Sequence, residues 1–170
     1  METLSLILHV TAAAALVGPQ ILLFLAVIPA TRELSDDDRS AVTRSVTRRF
    51  GMIAGVSLVA LLVTGLYQFY EVVPVAVQEE MNDFRFGPLF MAKMTLFLVL
   101  IALIAVHAAW LGPRIQAALD AGTAAEGARD ALARLRRRSL WVSAAMVAVS
   151  LLVLALGVAM GHHEYAYLAR

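Results

Sequence analysis

Four apolar stretches, each long enough to cross a hydrocarbon layer, limit what this chain can fold into. They run over about Leu4–Ala30, Phe50–Tyr70, Leu89–Leu111 and Leu140–Gly161, with the charged residues gathered in blocks between them. A helix needs roughly 20 residues to span the hydrocarbon, and only helices and closed barrels satisfy their backbone polar groups there. The pattern predicts an all-α fold, an integral membrane four-helix bundle forming one transmembrane domain over residues 1–170. With 61% hydrophobic and 16% charged residues and a mean hydropathy of +0.77, no stretch is left for a soluble module. Cysteine is absent, which excludes disulfides, thiolate metal sites and thiol nucleophiles.

Arginine placement sets the expected orientation. The first connection carries Arg32, Arg39, Arg44, Arg48 and Arg49, and the third carries Arg114, Arg129, Arg134, Arg136, Arg137 and Arg138. The second connection has Arg85 alone, and the C-terminus only Arg170. The positive-inside rule puts both basic connections in the cytoplasm and both termini outside, in a multi-pass protein of the cytoplasmic (inner) membrane. The same rule accounts for the basic residues without nucleic acid. Glu2 is the only charge before the first span, so a cleaved signal peptide is not expected.

Local signals refine this picture. Ser35 with Asp38, and Thr123 with Glu126, stand at capping-box spacing, so each basic connection starts a helix that runs on into the next span. Pro19 is expected to kink the first span, and Gly112-Pro113 to break the chain after the third. Residues Glu71 to Pro88, with Glu79, Glu80, Asp83, Phe84 and Phe86, are expected to form a short interfacial cap.

Helical periodicity gives every span a polar or small-residue stripe. The stripes are Ser5, His9, Ala12, Ala13 and Gln20; then Ser57, Thr64 and Gln68; then Lys93, Leu100 and His107; and Ser139, Ser143, Ser150, Gly157 and Gly161. For the serines, glycines and Thr64, close helix packing explains the pattern. Ionisable residues inside spans instead point to a cavity or a partner. His9 and Lys93 fall at one depth near the outer end, level with Gln68 and with His162-His163 at the end of the fourth span. His107 lies about 21 Å from Lys93 along the same face, near Trp110 and Arg114. It reads as an interfacial histidine bonded to a neighbouring helix.

These residues resemble a known family. Leu8-His9-Val10-Thr11-Ala12-Ala13 is similar to the first-helix histidine motif of the copper-resistance D superfamily. Arg48-Arg49-Phe50 with Leu62-Val63-Thr64-Gly65-Leu66-Tyr67 resembles its second helix, and Met91-Ala92-Lys93-Met94-Thr95-Leu96 its third-helix motif. The likeness covers roughly the first two-thirds of the chain. The superfamily includes putative copper-uptake proteins and, more distantly, the haem-binding membrane protoporphyrinogen oxidases. Its recurring polar residues fall on His9 and Lys93. Leu16-Val17-Gly18-Pro19 replaces the usual tryptophan-glycine pair, and His107 stands further from Lys93 than the oxidases' third-helix histidine, which argues against oxidase activity.

Three functions compete. In the first, a b-type haem near the outer leaflet serves membrane electron transfer or haem-linked redox chemistry with a redox partner. His9 and either His162 or His163 would then be ligands, Gln68 would lie beside the site, and Lys93 or Arg85 would pair with the propionates. In the second, copper is bound or transported at the outer face by His9, His162, His163, Met160, Met91 and Met94, since thioethers suit Cu(I) and imidazole suits either copper state. In the third, the chain is an accessory subunit docked through the bilayer on other membrane subunits. No catalytic constellation is visible.

Overall fold

The computed structural model describes residues 1–120 and 127–169, apart from the side chains of Arg32, Asp36 and Asp37. Four helices, Glu2–Ala30, Asp38–Glu71, Phe86–Asp120 and Ala128–Gly161, are long and apolar enough to cross a membrane. Each contains one of the four apolar runs. Among the described residues there is no strand, only an isolated bridge between Phe84 and Ala169.

The first span packs between the second and the fourth, and the third packs on the fourth. Both termini and the middle connection therefore share one end, here the terminus end, and the two basic connections share the other, the arginine-rich end. Each span contributes one residue to a dry central cluster of Leu16, Ala54, Leu100 and Met146. Leu6, Val10, Val56, Val63, Leu98 and Val158 stay on the outside, 54–73% exposed, as side chains that meet lipid do. Tyr70 and Tyr165 are exposed at the terminus end, and Trp110 and Trp141 towards the arginine-rich end. Phe86 and Trp110 lie about 36 Å apart along the third span, close to a hydrocarbon core plus its interfaces.

Lipid tails give no hydrophobic drive between helices, so close packing and hydrogen bonds hold the spans together. The Ser150 hydroxyl donates to Gln20 Oε1 at 2.7 Å, joining the fourth span to the first. Both residues are buried.

The helix starts follow the capping logic where it can be seen. The Ser35 hydroxyl accepts from the Asp38 backbone N–H at 3.2 Å and donates to the Asp38 carboxylate at 2.7 Å, and the helix it opens continues to Glu71. Thr123 and Glu126 lie outside the described residues. The first span stays helical through Pro19 and then widens into a π turn over Leu23–Val27. The expected break at Gly112-Pro113 does not occur. A π turn over His107–Leu111 precedes the pair, and the helix resumes over Gly112–Asp120. The extra residue of the π turn makes room for the proline ring, which would otherwise strike a carbonyl one turn back.

The middle connection folds into a short helix, Val75–Glu79, and a 3₁₀ turn, Met81–Asp83, and forms the expected cap. The C-terminal tail straps it down: the Arg85 N–H donates to the Leu168 carbonyl at 3.1 Å. Val77, Phe86 and Ala166 form the cap's core, with Phe69, Phe90 and Tyr167 around them. Gly87 lies directly against the Met81 carbonyl, where any β-carbon would collide with it. Gly87→Ala is expected to cost about 1–3 kcal/mol of stability, the range for overpacking, measured as earlier thermal unfolding in detergent. Gly55→Ala, which faces open space, is the control and lowers nothing.

Candidate functional site

His9, Thr64 and Lys93 each stand seven residues from the terminus end of their helices, at Glu2, Glu71 and Phe86 respectively. At 1.5 Å per residue all three lie about 10 Å in. The His9 ring reaches across to the second span, where Nδ1 lies 2.7 Å from Thr64 Oγ1. Thr64 Oγ1 in turn donates its only proton to the Ala60 carbonyl at 2.6 Å. A hydroxyl has one proton to give, so Nδ1 must carry the hydrogen in the His9 contact. The neutral ring is thereby held as the Nδ1–H tautomer, and Nε2 keeps a free lone pair. Gly65 faces the ring, with His9 Cε1 3.5 Å from where a β-carbon there would stand, an ordinary contact distance.

The same layer holds further polar groups. Gln68 Nε2 donates to the Ser5 carbonyl at a long 3.4 Å. The Ser5 hydroxyl is buried and makes no hydrogen bond. The Lys93 ammonium lies along Gly157 of the fourth span, 3.5 Å from its β-carbon position, and interacts electrostatically with His9. Among the described residues no carboxylate pairs with it.

The other candidate residues fall elsewhere. His162 and His163 are exposed beyond the end of the fourth span, and the His163 ring stacks on Tyr167 at 5.0 Å. Met160 packs into the cap, Met94 is half-buried, and Met91 is 59% exposed on the outside of the third span. The Arg85 guanidinium sits 5.1 Å above the Tyr165 ring, beside an open groove lined also by Pro88, Leu89 and Ala169. The structure thus brings His9, Thr64 and Lys93 together and leaves the His162-His163 pair at the exposed end. Among the described residues no three His, Cys, Asp or Glu side chains gather as a metal site. A second inward imidazole at the depth of His9, which a bis-histidine haem needs, is not among the contacts of that ring.

Two features were hidden in the sequence. Thr64, expected to serve packing alone, is the group that orients His9; its place level with His9 was the available signal. The Gln20–Ser150 bond was not foreseen, although both residues stood on the polar stripes. His107 differs from its expectation. It makes no hydrogen bond to a neighbouring helix among the described residues, and its Nδ1 is buried without a partner.

A helical membrane bundle with a polar interior layer is the class this fold and site define. The family model for copper resistance protein D matches residues 44–163, more than half of the chain. The chain belongs to the copper resistance protein D family. No curated protein and no solved structure matches it. The match takes in the second, third and fourth spans and leaves out the first, whereas the motif resemblance began at the first helix and was weakest in the fourth. The reading of His9 therefore stands on geometry.

Removing the Thr64 hydroxyl should release the His9 tautomer. In ¹⁵N NMR of histidine-labelled protein, the His9 Nδ1 is expected to be protonated in the wild type. Thr64→Val should shift the population towards the Nε2–H form or a mixture, and Thr64→Ser should restore it.

Proposed function

We propose that this chain binds copper as Cu(I) at His9 and hands it on within the membrane. The observation that carries the reading is the free Nε2 lone pair of His9, oriented from behind by Thr64. A hydrogen bond to the far nitrogen of an imidazole fixes the ring and raises its basicity, as it does behind most metal-bound histidines. Membership of the copper resistance family supports copper as the cargo. Under the positive-inside rule the arginine-rich end faces the cytoplasm of an inner membrane, so copper arrives at the terminus end. The exposed His162 and His163 meet it first, since imidazole suits either copper state.

Lys93 gives the site its character. A second positive charge in a partly desolvated layer opposes a bound cation, by about 3 kcal/mol at 6 Å with an effective dielectric of 20. The cation is held briefly rather than stored. Lys93→Gln should therefore tighten Cu(I) binding by about tenfold or more, which corresponds to about 1.4 kcal/mol or more.

The test is a competition titration of purified protein with a chromogenic Cu(I) chelator, with a visible spectrum of the same sample. Wild-type protein is expected to take Cu(I) from the chelator, and His9→Ala to lose at least about tenfold in affinity. Equal binding by His9→Ala sinks the proposal. So does a Soret band that vanishes in that variant, which would turn the reading to haem.

A further inference from the structure

The two halves of the chain are built alike. The first span runs as α-helix over Glu2–Leu22 and enters a π turn at Leu23–Val27. The third runs over Phe86–Val106, again 21 residues, and enters a π turn of the same five-residue length at His107–Leu111. A proline, Pro29 or Pro113, follows each π turn by two residues. His9 and Lys93 hold matching places in these helices, and so do Leu16 and Leu100, both in the dry central cluster. Their partner helices match as well. Thr64 meets His9 and Gly157 meets Lys93, and seven residues before each stands a buried serine, Ser57 or Ser150. The bundle is thus a pair of equivalent helical hairpins that run in the same sense. Membrane repeats related in this way meet around an axis along the membrane normal, and one rocks against the other as a rigid body.

We propose that the two hairpins pivot about the cap, opening and closing the arginine-rich end, with Gln20 and Ser150 as the latch. The device is independent of what the site at His9 carries. Packing is heaviest inside each hairpin, first span on second and third on fourth, and lighter between them. The terminus end is tied firmly. Phe69 of the first hairpin stacks on Phe90 of the second at 4.8 Å, and the tail closes over them through Ala166 and Tyr167. Beyond the cap, the polar ties between the hairpins include the Ser150–Gln20 hydrogen bond and the exposed Arg44–Asp120 pair at 3.8 Å. The latch is also incomplete. Gln20 is 5% exposed, and its Nε2 has no hydrogen-bond partner. A buried amide without a partner destabilises the closed arrangement, and water that reaches Gln20 on opening satisfies it. The bond and the unpaired amide act in opposite directions, which keeps the two arrangements close in energy.

The chain has no cysteine, so spin labels go only where cysteines are introduced. The experiment is pulsed EPR in lipid nanodiscs on three labelled pairs at exposed positions. Thr47→Cys with Ala133→Cys reads across the hairpins at the arginine-rich end. Ala30→Cys with Thr47→Cys reads within the first hairpin, and Glu71→Cys with Met91→Cys reads across the hairpins at the cap. The first pair is expected to give two distances and the other pairs one each. Ser150→Ala leaves Gln20 wholly unpaired and should raise the ratio of long to short distance about threefold or more, the factor that matches an average bond between membrane helices. Gln20→Leu removes the bond and the unpaired amide together and should leave the short distance alone. One unchanged distance in wild type and both variants overturns the pivot. A shift of both variants in the same direction overturns the latch, and a within-hairpin distance that widens in step overturns the rigid hairpin.

Discussion

Within hydrocarbon, a polar group is satisfied by the protein or by nothing, and the interior of this bundle is arranged around that condition. The hydrogen-bond relay from His9 through Thr64 to the Ala60 carbonyl uses one hydroxyl both to accept and to donate. The Ala60 carbonyl is already part of the helix ladder, so the relay ends on a group that tolerates a second donor. Nothing in it is left over except Nε2. The imidazole is therefore anchored on one nitrogen and available on the other, and the depth of the site follows from where the second span presents Thr64.

Close approach of the helices makes this possible. Gly65 lies beneath the His9 ring and Gly157 beneath the Lys93 side chain. A β-carbon at either place would stand 3.5 Å from the polar side chain, in ordinary van der Waals contact. The small-residue stripes therefore serve packing and the site together. The Gln20–Ser150 bond closes the first span on the fourth deeper in the bundle. Such bonds between membrane helices contribute about 0.6 kcal/mol on average, so this one fixes register more than it supplies stability.

Much of the architecture was legible in the sequence because its causes are local. Apolar runs give spans, Ser35 with Asp38 gives a helix start, and period 3.6 gives the faces that turned out buried at Ser5, Ala12, Gln20, Ser57, Thr64 and Ser150. The π turns were not legible. They come from how a helix accommodates a nearby proline, and Gly112-Pro113 reads on paper as a stop. The partnership of His9 with Thr64 was only half legible, since depth could be counted while neighbour order could not. Depth alone also grouped His9 with His162 and His163. The fourth helix ends at Gly161, and the tail beyond it turns onto the cap through Tyr167 and Leu168 instead of into the bundle.

A membrane protein with polar groups in both halves faces a second demand, because a continuous polar track conducts protons. Water entering from either end must be stopped in the middle. Leu16, Ala54, Leu100 and Met146, all 1–7% exposed, form the apolar part of that stop, and one turn from Leu16 and Met146 the buried Gln20 and Ser150 hydrogen-bond to each other. Three of the four are inert towards any ion. The fourth carries sulfur, which accepts hydrogen bonds weakly and is not protonated near neutrality, yet is a good ligand for a soft cation. A serine or histidine at the position of Met146 would offer a proton a foothold. Methionine is also a common filler of irregular core space, and its volume alone would justify it here.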